Sequence, residues 1–343
     1  MRRVWKVLGG IVLAVAVGIA ALIGFLAVKK PAMRPASTEK IEATPERLAR
    51  GQYLTLHVTD CLGCHSDHHF DRFAIPIKAG TEGEGGFPFD KTLGVPGLVQ
   101  AQNISSDPGT GIGSWTDGEV MRAVREGVNR DGEAMFPMMP YQEYRHLSDE
   151  DLMSIVAYLR TLAPVEHAVA ARKLDFPVNF MVKLVPEPLG GPVPDPDRND
   201  TVAYGRYLST IAGCQNCHTP IDDRGRKIPG QEFAGGWELP GPWGRVVSSN
   251  ITPHPDTYMG QATRDEFIDR FKSLEHLAGE NAPAAPPGQN TVMPWPLFAG
   301  MTREDLGAIY DYLKTVKPVQ KTVIAFPDAP PGASSRPEAV LAP

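Results

Sequence analysis

The longest apolar run in the chain extends from Val7 to Val28, uncharged throughout and bounded by Arg2, Arg3 and Lys6 before it and by Lys29 and Lys30 after it. A run of this length crosses a bilayer as one helix. A cleaved leader has a shorter apolar core followed by a small-residue cleavage site. This core runs directly into the two lysines, which predicts an uncleaved N-terminal anchor. Further along, apolar positions recur in short helical patterns: Leu152, Ile155, Val156 and Leu159, then Leu306, Ile309, Tyr310 and Leu313. Ser148 to Asp151 and Thr302 to Asp305 stand just ahead of them as N-terminal caps. Thr116-x-x-Glu119 and Thr263-x-x-Glu266 predict one more capped helix ahead of each. No segment alternates convincingly at the period of a strand, so the expected fold class is all-α.

These patterns belong to an internal repeat with an offset of about 153 residues. Gly51-Gln-Tyr53-Leu54 matches Gly205-Arg-Tyr207-Leu208, and Met139-Pro-Tyr141 matches Met293-Pro-Trp295. The expected organisation is an anchor and polar stalk over residues 1–43, a first domain over 44–165 and a second over 200–320. A Pro-rich, stiff linker over 166–199 joins them, and a Pro/Ala-rich tail over 321–343 is expected to be extended or disordered. Residues 279–289 read as an inserted surface loop.

Composition sharpens the picture at one place. All 4 cysteines lie in two copies of one pentapeptide, Cys61-Leu-Gly-Cys64-His65 and Cys214-Gln-Asn-Cys217-His218. C-x-x-C-H is the attachment sequence of c-type haem. Two thiols at this spacing add across the two vinyl groups on one porphyrin edge, and the next imidazole reaches the iron. Two covalently bound haems are therefore expected. The competing readings are weaker. A redox dithiol needs a βαβ context, one zinc shared by both pairs leaves both histidines unexplained, and a disulfide closing so short a loop constrains little of the unfolded chain. The counts of 34 Gly and 33 Pro suit short helices and long loops around a large flat cofactor, and a formal net charge of −6 argues against a nucleic-acid partner. Haem of this type is attached outside the cytoplasm. The anchor is thus expected N-terminus-in across the cell inner membrane, with the haem domains in the periplasm.

Each iron needs a sixth ligand assigned. Met139 and Met293 occupy one repeat position, each before proline and shortly before the last helix, and thioether sulfur suits an electron-transfer haem. Met135 and Met138 stand near Met139 but have no counterparts in the second copy. His57, His68 and His69 offer bis-histidine ligation and read better as exposed loop residues. The metal ligands are thus expected to be His65 with Met139 and His218 with Met293. Two saturated irons favour outer-sphere electron transfer over chemistry at iron, so the chain reads as an electron-transfer protein or subunit rather than an enzyme. The rival class is a diheme peroxidase with one open or labile iron. Trp115 and Trp243 read equally as donors to haem propionates or as packing on the porphyrin. Gly109 to Gly113 reads as a turn, and Asn103-Ile-Ser and Asn250-Ile-Thr as structural turns.

The run Asn103-Ile-Ser-Ser-Asp-Pro-Gly-Thr-Gly-Ile-Gly-Ser-Trp115-Thr-Asp, followed by Met139-Pro-Tyr and Leu147-Ser-Asp-Glu-Asp, resembles the cytochrome c subunits of bacterial membrane-bound alcohol, gluconate and sorbitol dehydrogenases. The likeness is good over residues 45–165 and moderate over 200–320. It implies two tandem class I cytochrome c domains with His and Met axial ligands. It also implies an electron-donor dehydrogenase and a respiratory-chain acceptor, whether a quinone-linked complex, an oxidase or a soluble cytochrome. The chain differs in carrying two haem motifs where those subunits usually carry three, and in its N-terminal apolar run.

Overall fold

Thr44 starts the first helix of the repeat: its hydroxyl accepts the Arg47 amide, and Pro45 presets φ at the first turn. The computed structural model describes residues 2–223, 225–277 and 279–332. In it the Pro45–Tyr53 helix widens into a π-type turn over Leu54–Val58 and packs along Asp149–Leu159, which Ser148 caps by accepting the Asp151 amide. The two helices approach closely because residue 51 is glycine; a Cβ there would overlap the Ser154 carbonyl oxygen. The second copy is built alike. Asp200 caps Thr201–Ile211, Thr302 caps Arg303–Leu313, and a Cβ on Gly205 would overlap the Ala308 carbonyl oxygen. Leu54, Val58, Leu152 and Ile155 from one pair and Leu208, Ile211, Leu306 and Ile309 from the other are buried in a single apolar cluster.

The two further helix starts form as the local sequence requires. Thr116 and Glu119 close a capping box on Asp117–Glu126, and Thr263 and Glu266 close one on Arg264–Lys272. The chain is mostly helical with an apolar N-terminal helix. Strands are nonetheless present, which corrects the strand-free expectation. Pro88–Phe89 pairs antiparallel with Gly97–Gln100, which pairs in turn with Lys173–Leu174, and Glu238–Gly241 forms a hairpin with Gly244–Val247. Segments of two to four residues are too short to display a period of two.

The segments read as connections are held against the helices. After the Arg2–Val28 helix, none of whose residues is buried, Arg34 pairs with Glu126 at 2.6 Å and Asp117 accepts the Ile41 amide at 2.9 Å. Residues 166–199 contribute the Lys173–Leu174 strand and a turn of helix at Val178–Met181, and the Val193 carbonyl accepts the Asp149 amide at 2.9 Å.

Residues 279–289 lie largely at the surface, as an inserted surface loop would, but they are tied down to the first copy of the repeat. The Phe73 amide donates to the Pro283 carbonyl at 2.9 Å, and the neighbouring Asn290 accepts the Ala74 amide at 3.0 Å. Phe73 is fully buried beneath this contact. The apolar pull of one aromatic side chain across the repeat was not visible from the loop's own Pro-rich sequence. The first residues of the tail are likewise bound: Val247 donates to the Ala325 carbonyl at 2.8 Å, and Arg245 pairs with Asp328 at 2.8 Å. Residues 333–343 of the expected tail lie outside the described residues.

Candidate haem-binding site

Each C-x-x-C pair forms one helical turn, Cys61–Cys64 and Cys214–Cys217, with the histidine at its C-terminal cap. A left-handed residue brings the chain into each turn, Gly213 in the second copy and Asp60 in the first. Asp60 is an uncommon residue for that conformation. Its carboxyl folds back over Gly63, where any Cβ would overlap it, and burial raises its pKa to about 7. The turn is fixed from outside by Thr59, whose carbonyl accepts the buried Tyr144 hydroxyl at 2.6 Å and whose own hydroxyl lies 3.2 Å from Cys61 Sγ.

The histidines are oriented by backbone. His65 Nδ1 lies 2.6 Å from the Gln102 carbonyl oxygen, and His218 Nδ1 lies 2.7 Å from that of Ser249. With Nδ1 carrying the proton, Nε2 is left as the ligating nitrogen. Burial lowers the pKa of both rings, so both are neutral. The residue after each carbonyl is the repeated asparagine. Asn103 Nδ2 donates to the Val165 carbonyl at 2.7 Å while its Oδ1 accepts the Ser105 amide at 2.9 Å. Asn250 makes the same pair of bonds with Val319 at 2.8 Å and Thr252 at 3.0 Å. The structural-turn reading holds, and these turns also place the carbonyls that aim the imidazoles. Gly85 and Gly235, both with positive φ, donate to the carbonyls of His65 and His218 at 3.0 and 2.7 Å, and a Cβ on either would strike the same loops.

Met139 and Met293 are half-buried and pack against the shared apolar cluster. Each is pinned by its backbone just before a single-turn helix: Met139 accepts the Tyr141 amide at 2.8 Å, and Met293 accepts that of Trp295 at 2.7 Å. None of the four cysteines is joined in a disulfide. Burial pushes Cys61 and Cys217 up to about 11 and Cys64 up to about 12, and raises Cys214 as well. Cys64 and Cys217 nevertheless open to solvent on one side. The Asp60 carboxylate adds to the upward shift of both thiols. Among the described residues no three His, Cys, Asp or Glu side chains converge as a metal cluster. Paired thiols on one turn, a neutral imidazole with Nε2 left to ligate, and a methionine on an apolar wall fit a c-type haem in each copy.

One expectation needs correction: none of the three other histidines is exposed. His57, within the Leu54–Val58 turn, and His69 are half-buried, and His68 is buried, with its ring edge-on to Phe87 at 5.3 Å and its pKa lowered by burial to about 4. Of the two readings held open for Trp243, the propionate donor is disfavoured, because its indole N–H donates to the Leu239 carbonyl at 3.1 Å inside its own hairpin. The roles of Asp60, Gly85 and Gly235 were missed from sequence. Aligning the two copies would have flagged Asp60, because glycine holds its place in the second.

No protein-family model matches the chain. Its relatives define a class, the cytochrome c subunits of dehydrogenases, which the chain resembles. It is 28% identical over 299 residues to the fructose dehydrogenase cytochrome subunit of Gluconobacter japonicus, covering 83% of this chain and 56% of that one. It is 36% identical over 162 residues to a diheme cytochrome c-type protein of Cereibacter sphaeroides, covering 46% and 54%. It is 32% identical over 202 residues to the gluconate 2-dehydrogenase cytochrome c subunit of Pantoea cypripedii, covering 56% of this chain and 41% of that protein. The chain thus spans about half the length of the first two relatives and less of the third.

Proposed function

We propose that this chain is a membrane-anchored c-type cytochrome with two covalently bound haems. It passes electrons from a dehydrogenase to a respiratory-chain acceptor, with its body on the periplasmic face. The observation that carries the reading is the duplicated histidine setting, in which both Nδ1 atoms are fixed by a backbone carbonyl beside a C-x-x-C turn. Bound haem supplies one-electron redox chemistry. The residues of the chain do the rest. Cys61, Cys64, Cys214 and Cys217 hold the two groups covalently. His65 and His218 ligate on one side through Nε2. Met139 and Met293 ligate on the other, which closes the sixth position and favours electron transfer over substrate binding at iron. The tandem class I cytochrome c arrangement, over residues 44–165 and 200–320, rests on the sequence repeat and the twice-built helix pair. The names of its relatives support a dehydrogenase as the donor.

The test is an optical spectrum of the purified, reduced full chain with and without carbon monoxide. Two covalent haems that both refuse CO are expected, with Met139→Ala and Met293→Ala each opening one haem to it. A wild-type haem that binds CO readily would instead indicate an open iron and peroxidase-type chemistry.

A further inference from the structure

The segment leading from the first copy of the repeat toward the second carries apolar side chains that stand exposed among the described residues. Phe176 is 71% exposed, Met181 55% and Leu184 54%. Met181 and Leu184 lie on a helical turn, Val178–Met181, that continues through Val182–Leu184, and Phe176 stands just ahead of it; Val182 is 2% exposed and faces inward. Phe180 stands edge-on to Phe176 with ring centroids 6.1 Å apart. Single exposed apolar residues are ordinary, but a contiguous group marks an interaction surface.

The position of this group identifies the partner. Lys183 Nζ donates to the Ala27 carbonyl at 2.8 Å and to the Leu26 carbonyl at 3.2 Å. These are last-turn carbonyls of the Arg2–Val28 helix, which lack an intrahelical donor and favour a cation. The Phe180 ring lies 5.8 Å from the same ammonium. The apolar group is thereby tied to the end of the anchor, beside Lys29 and Lys30. A surface fixed at that level faces lipid headgroups.

We propose that residues 176–184 form a second membrane contact, with Phe176, Phe180, Met181 and Leu184 seated at the boundary between headgroups and acyl chains. Aromatic and apolar side chains partition to this depth, and lysines nearby reach anionic headgroups. The proposal rests on the reading of Arg2–Val28 as membrane-spanning.

The test uses the full chain in phosphatidylethanolamine–phosphatidylglycerol vesicles, with the photoreactive residue p-benzoylphenylalanine at position 176, 181 or 324. Ile324, 72% exposed, is the control because its neighbour Ala325 is bound to the Gly244–Val247 strand. Peptides labelled at 176 and 181 should gain the mass of a phospholipid, while 324 stays at background. Vesicle flotation without lipid adducts at 176 and 181 would overturn the second contact and leave the anchor standing. Failure to float would overturn both. In native membranes, adducts to another polypeptide in place of lipid would overturn the lipid assignment in favour of a protein partner.

Discussion

The Tyr53 hydroxyl donates a 2.6 Å hydrogen bond to Asp305 Oδ2 across the two copies of the repeat. The counterpart pair closes the same contact from the other side, with Tyr207 donating to Asp151 at 2.6 Å. Each hydroxyl also accepts an amide at the start of the facing helix: Thr302 donates to Tyr53 at 3.2 Å and Ser148 to Tyr207 at 3.3 Å. The junction is therefore reciprocal. It is not fully symmetric, because Arg50 grips Asp151 through two bonds of 2.8 Å, whereas Tyr204 occupies the place of Arg50 in the second copy and lies 3.5 Å from Asp305.

This asymmetry ranks two substitutions. Tyr53→Phe leaves Asp305 with its weaker partner and should cost about 2 kcal/mol, within the range for a bond to a charged acceptor. Tyr207→Phe leaves Asp151 on Arg50 and should cost about 1 kcal/mol. Thermal unfolding of the holoprotein checks the order, and a larger loss for Tyr207→Phe would contradict it.

The same phenols set an alkaline limit. Burial first, and then the facing carboxylates, raise the pKa of Tyr53 and Tyr207 above the ordinary value. In the unfolded chain they lose their protons near pH 10, while the folded chain still holds them. The unfolded state therefore gains as pH rises, so this stabilisation is complete below about pH 10 and is lost above it. Melting temperature measured from pH 8 to 11.5 should fall at the alkaline end, and the double Tyr→Phe variant should flatten that fall.

Gly51→Ala and Gly205→Ala should each destabilise by at least about 1–3 kcal/mol, because the added methyl overlaps a backbone carbonyl of the facing helix. Backbone cannot give way as a flexible side chain can. Melting curves that coincide with wild type would show the helix pairs to be looser than described.

Asn103→Ala and Asn250→Ala test the loops that aim the histidines. Each removes a buried side chain that accepts one amide and donates to a carbonyl. Each variant should lose about 1–3 kcal/mol and show altered absorption or potential at one haem, with the other unmoved. Lost stability with both haems unchanged would reduce the asparagines to turn formers.

The parts of this architecture that depend on near neighbours were legible in the sequence. Thr116 with Glu119 and Thr263 with Glu266 cap helices because a hydroxyl and a carboxylate three residues apart reach each other's amides. The C-x-x-C-H turns declared themselves in the same way. Contacts between distant residues were not legible. Tyr53, Tyr207, Asp151 and Asp305 all recur in the repeat, yet nothing local says that each tyrosine reaches across to the other copy's aspartate. Phe73 beneath Pro283, and the strand at Lys173–Leu174, depend equally on neighbours remote in sequence.

The reciprocal tyrosine–aspartate contact has a consequence for valency. Two like units that exchange one bond in each direction have the logic of a twofold homodimer, here written into one polypeptide. Covalent linkage makes the exchange independent of protein concentration, so dilution does not open it. The self-complementary patch is consumed within the chain, and a second molecule would have to associate through a different face.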